Sequence, residues 1–192
     1  MKTTKTIITC IILLMGLLQG PFIYYYCSGF RAMLFLPPYM AVGFALSVYL
    51  VIKLRHKESN TPFIRVGCFV GIGLGIAALL SEDLIEYLDW KLRRGTRNEI
   101  VEQVKKGSLE GGRLSARYFP PISNGNNYLG VEKSDDKTVS VEFLINAGYL
   151  DHYSAFLYTN DPDKIKEIEE RIAAGKSEGY NKLDTNWYRV NY

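Results

Sequence analysis

Uncharged residues run unbroken over positions 6–30 and again over 32–52, and a third, shorter run covers 66–81. A helix needs roughly 17–25 apolar residues to cross about 30 Å of hydrocarbon, and the first two runs reach that length. The third reaches it if Arg65 snorkels and the helix continues through Leu84, Ile85 and Leu88. The pattern therefore predicts three transmembrane α-helices, over about 6–28, 33–53 and 64–88, in a membrane domain of residues 1–90. Pro21 releases one backbone hydrogen bond near the end of the first span, and Tyr24, Tyr25 and Tyr26 stand where an interfacial aromatic belt belongs. Pro37 and Pro38 suit a helix start better than a helix middle. Lys2 and Lys5 ahead of an apolar core also fit a secretory signal, but no small-residue cleavage pair follows, so an uncleaved anchor is the preferred reading.

The period changes after residue 80. Leu84, Ile85, Leu88 and Leu92 mark one side of an amphipathic extension that Gly95 should end, and 91–97 reads as a linker. Thr96 followed by Glu99 has the form of a capping box, placing a helix over 97–106 that Gly107 closes. Residues 111–127 hold a density of Gly, Pro and Asn that predicts a long loop. Alternation over 128–133 and 138–145, with Val139, Val141, Phe143 and Ile145 on one face, predicts a hairpin. A third strand is expected at 153–159 and a last one at 186–192. Asp161 followed by Pro162 starts a helix whose stripe of Ile165, Ile168 and Ile172 should cover one sheet face. The expected fold is three spans followed by a small α+β domain, 98–192, with an antiparallel sheet of about four strands and two helices.

Charge sharpens this division. The net charge is +3, yet residues 98–192 carry 12 Lys and Arg against 15 Asp and Glu, so the basic excess lies in the membrane half. Basic residues flanking spans face headgroups or set topology, and the polar domain has no nucleic-acid footprint. The cluster Lys53, Arg55, Lys57 and Arg65 marks the middle loop as cytoplasmic, which puts the amino terminus inside and the polar domain outside. Gly67, Gly71 and Gly75 form a stripe that admits a close helix neighbour, either within the chain or in a homo-oligomer. All three cysteines, Cys10, Cys27 and Cys68, fall in or beside apolar segments, which removes any disulfide framework or cysteine zinc site from the polar domain.

Candidate chemistry is sparse. His152 lies beside Asp151 and Ser154, but neighbours on a strand point to opposite faces, so they do not make a triad. There is no phosphate loop, dinucleotide fingerprint, HExxH or EF-hand pattern, and no catalytic residue, cofactor or metal is expected. What remains is aromatic density, and Tyr149, Asp151, His152, Tyr153, Trp187 and Tyr188 are the candidate interaction residues. The reading is a non-enzymatic membrane protein that presents a recognition domain to a protein partner outside the cytoplasm, in an immunity-like or envelope-sensing role. The alternative is a membrane-tethered enzyme or small-ligand sensor with its site between the 111–127 loop and the sheet.

Overall fold

The computed structural model describes residues 2–27, 30–55, 82–114, 118–124, 127–134, 138–146, 153–175 and 179–192. The chain divides into two compact units, Met1–Glu86 and Tyr87–Tyr192.

In the first unit, helices α1 (Lys2–Tyr26) and α2 (Phe30–Arg55) pack on each other. Phe22 stacks on Tyr39 with centroids 4.9 Å apart, and the Tyr39 hydroxyl donates to the Met15 carbonyl at 2.5 Å. Pro37 and Pro38 lie inside α2, not at its start, so each removes one amide donor from a ladder that nevertheless continues. No single described helix is long and apolar enough to cross a membrane; Thr6–Gly16 and Leu18–Tyr26 pass that test together, bent by 48°. Most of the third expected span, with Gly67, Gly71 and Gly75, lies outside the described residues.

The second unit is an α+β domain built on one antiparallel sheet of six strands, in the order β1-β2-β3-β4-β6-β5. The strands are β1 (Gly112–Arg113), β2 (Tyr128–Lys133), β3 (Val139–Asn146), β4 (Ser154–Thr159), β5 (Asn181–Asp184) and β6 (Trp187–Asn191). Helix α3 (Glu82–Lys105) covers one face and helix α4 (Pro162–Ala173) packs on the other. Register follows from strand alternation: pairing Val141 with Tyr158 and Phe143 with Phe156 sends these four side chains to the α3 face. It sends Ser140, Glu142, Ala155 and Leu157 to the α4 face.

Helix α3 differs from expectation in two ways. It runs straight through Gly95 and Thr96, so neither the linker at 91–97 nor the capping box interrupts it. The cost of one glycine in a helix, about 1 kcal/mol, is small beside the burial on either side of it. The stripe that meets the sheet is also not the leucine stripe: Trp90, Arg97, Ile100, Val101 and Val104 are buried, while Leu92 is 80% exposed. Its carboxyl end agrees with the sequence. Gly107, at φ 69°, donates to Val104 and Ser108 donates to Gln103, which closes the helix as a Schellman turn.

Helix α4 begins as expected, with Asp161 Oδ1 accepting from the Asp163 and Lys164 amides and Pro162 at the first position. Ile168 reaches Ala155, Leu157, Tyr188 and Val190, with Ile165 and Ile172 at the margin. Two strands beyond the expected four complete the sheet. Both are edge strands, and β5 reads Asn-Lys-Leu-Asp, with no alternation to announce it.

Candidate functional site

Helix α4 covers β4, β6 and β5 but leaves the same face of β2 and β3 open beside it, and this offset produces a groove of about 550 Å³. Its floor is Gly130, Ser140 and Glu142, with Leu157 and Val190 at the back. Lys164, Glu167, Ile168 and Arg171 line the helix side. Tyr153, Tyr180 and Tyr192 close one end.

Glu142 is the centre of this arrangement. The Tyr192 hydroxyl donates to its Oε1 at 2.6 Å and the Tyr153 hydroxyl approaches its Oε2 at 3.5 Å. The two rings stack at 4.5 Å with 27° between their planes. Across the ladder Glu142 pairs with Gly130, where an added Cβ would come within 3.2 Å of Glu142 Cβ and Oε2. The missing side chain is therefore what keeps the carboxylate reachable.

The other charges on the groove are matched. Lys164 pairs with Glu132 across its mouth, and Arg171 pairs with Glu167 at 2.7 Å while its Nη1 lies 3.4 Å from the Tyr180 hydroxyl. Among the described residues no cation pairs with Glu142. Beyond the groove, Lys182 and the Tyr188 hydroxyl both bond Glu169, tying β5 and β6 to α4 and holding the Glu169 carboxyl below its usual range.

Burial, followed by the hydrogen bond to and charge of Glu142, pushes the Tyr192 hydroxyl far above the ordinary tyrosine value, and burial with the same carboxylate raises Tyr153. Folding thus holds these protons more tightly than the unfolded chain does. The resulting stability is fully present below the unfolded tyrosine pKa of about 10 and is lost as pH rises beyond it. In an alkaline titration of tyrosinate absorbance, a late fraction should therefore appear that shrinks in Tyr192→Phe and again in Tyr192→Phe with Tyr153→Phe. Ordinary titration of both groups in the folded protein would refute the arrangement.

The residues singled out from sequence separate. Tyr153 lines the groove. Trp187 and Tyr188 are core residues on opposite faces of β6, so they do not form one exposed recognition surface. Trp187 packs among Trp90, Phe143 and Tyr158 and donates to Asn98 at 2.9 Å. Tyr149, Asp151 and His152 lie outside the described residues. Glu142 was missed because alternation alone assigns it to an outward face; the signal that could have found it is the α4 stripe, which demands a partly covered second face.

The opposite side of the sheet holds a different cluster. Arg97 and Asp89, both 2% exposed, form a salt bridge, and Arg97 also donates to the carbonyls of Asp89 and Ile122. Its guanidinium sits 4.5 Å from the Phe156 ring centroid. Arg93 bonds Asp89 at 3.2 Å and the Pro120 and Pro121 carbonyls at 2.5 and 2.6 Å. The described part of the 111–127 loop is thereby drawn in: Ile122, Ser123 and Asn124 are buried, and Asn124 bonds both Leu144 and Ile145. Arg93 and Arg97 are thus internal anchors that hold the loop to α3.

No group of three or more metal-ligating side chains occurs among the described residues. Comparison with protein-family models, curated proteins and solved structures returns no match, so geometry alone carries the functional reading.

Proposed function

We propose that the chain is an integral membrane protein whose amino-terminal helices anchor it and whose second unit is a non-enzymatic recognition domain, taking its ligand in the groove beside α4. The observation that carries the reading is the contrast between the two units. On α1 and α2 large apolar side chains point outward, among them Ile7, Leu14, Leu18, Leu34 and Phe44, the last 73% exposed. Burying such a side chain from full exposure is worth about 1.5–3 kcal/mol, and these, half or more exposed, would gain a corresponding share on leaving water. The second unit gathers a continuous apolar core on both faces of its sheet, leaving outward only scattered residues such as Leu92 and Phe119, and opens a groove lined by charged and aromatic side chains.

In this reading the bent pair in α1 crosses as a broken span and the apolar runs expected from sequence at 33–53 and 64–88 cross as the second and third, so that with the amino terminus inside the domain lies outside the cytoplasm. Tyrosines around a fixed carboxylate suit binding, and the groove offers no nucleophile with an oriented base. Alkaline carbonate washing of membranes from cells expressing the full chain should leave it in the pellet, with detergent releasing it. Recovery in the carbonate supernatant would overturn the anchor. A compartment-sensitive reporter joined after Tyr192 should be active only outside the cytoplasm.

A further inference from the structure

The groove's charges narrow its ligand. Three carboxylates, Glu132, Glu142 and Glu167, face two cations, Lys164 and Arg171. The pairs Glu132 with Lys164 and Glu167 with Arg171 account for four of these five groups and leave Glu142 over. Tyrosine hydroxyls donate to it without neutralising it. A partly desolvated carboxylate is costly until an opposite charge arrives. An anion would meet that charge head on, and a neutral ligand would leave it uncompensated.

The surroundings match a cation of a particular build. Tyr153 and Tyr192 stack on each other with their hydroxyls on Glu142, so an ammonium arriving there meets phenol oxygens whose lone pairs can accept from it, and Tyr180 lines the same groove. Leu157, Ile168 and Val190 extend an apolar strip away from it along the seam between sheet and helix. The volume falls in the range of small-ligand sites.

We propose that the groove binds an organic ammonium ion bearing a short hydrocarbon chain, with the ammonium on Glu142 among the tyrosines and the chain along Leu157, Ile168 and Val190. This rests on reading the groove as the recognition site. The ammonium could come from a free amine or from a lysine side chain presented by a partner protein, and the chemistry recognised is the same.

Full-length protein in detergent micelles is titrated calorimetrically with n-butylammonium, with n-butanol and butyrate as neutral and anionic probes of matched size, and with N-acetyl-lysine amide. Tryptophan fluorescence checks the fold of each variant, since Trp90 and Trp187 both lie in the core of the second unit. The ammonium probes should bind and the other two should not compete. Glu142→Gln should weaken ammonium binding by on the order of tenfold or more, the loss of a charge-assisted contact, and Gly130→Leu, which fills the space over Glu142, should abolish it. Tighter binding of the lysine derivative assigns the ammonium to a partner's side chain, and tighter binding of butylammonium assigns it to a free amine. Butanol or butyrate binding as well as butylammonium, or full affinity in Glu142→Gln, overturns the ammonium assignment while leaving the groove as a site. Silence from every probe, in a protein whose fluorescence is native, sinks both.

Discussion

Replacing Arg97 with methionine should destabilise the second unit by about 3–5 kcal/mol, the usual cost of removing one partner from a buried ion pair. The substitution keeps much of the apolar stem but strips the charge, leaving the Asp89 carboxylate buried and dependent on Arg93, whose own donors are shared with Pro120 and Pro121. The Ile122 carbonyl loses a donor and the Phe143 and Phe156 rings lose a cation. Small domains hold only about 5–15 kcal/mol in total, so a large share of the fold's stability is at stake. Chemical denaturation followed by tryptophan fluorescence measures it. The decisive companion is Arg97→Met with Asp89→Leu: it removes the buried carboxylate along with its partner, Arg93 keeps the Pro120 and Pro121 carbonyls, and the double variant should be more stable than the single. A single variant within 1 kcal/mol of the parent would show that the cluster does not hold the helix to the loop.

Phe143→Ala should cost about 3–5 kcal/mol for a different reason, lost burial plus the cavity left behind. Phe143 is fully buried on a central strand, with its ring 5.8 Å from Trp187 and 5.9 Å from the Arg97 guanidinium. Neighbours on both sides are themselves large and tied by hydrogen bonds, so the site collapses poorly. Phe119→Ala supplies the contrast: that ring is 83% exposed, and its loss should move stability by no more than about 0.5 kcal/mol. The fluorescence-detected midpoints of the two variants should therefore separate widely, and comparable losses would contradict the assigned core.

The strongest local signals in the chain were the ones that survived folding. Asp161 with Pro162, the alternation of 139–145 and Gly107 each act within a few residues of themselves and agree with the packing around them, whereas Gly95 and the Thr96 box, equally local, gave way to the burial on either side of them. What stayed hidden was decided at a distance. The choice between two stripes on α3 turned on which one a sheet could satisfy, and the polar pair Asp89 and Arg97 won because Phe143, Phe156 and Ile122 enclose it. A leucine count along the helix points the other way. Glu142 was equally illegible, for its meaning depends on α4 stopping short of β2 and β3 and on a glycine across the ladder. Edge strand β5 owes its existence to Trp187–Asn191 beside it more than to its own residues.

The pinned loop has a practical corollary. Residues 118–124 lack regular secondary structure and would ordinarily be the first place for a protease to cut. Here their carbonyls are held by two arginines of α3, and Ile122, Ser123 and Asn124 are sealed against the sheet. Cleavage in this segment must wait for the arginines to let go, which makes nicking there a report on opening of the helix–sheet interface instead of on local fraying.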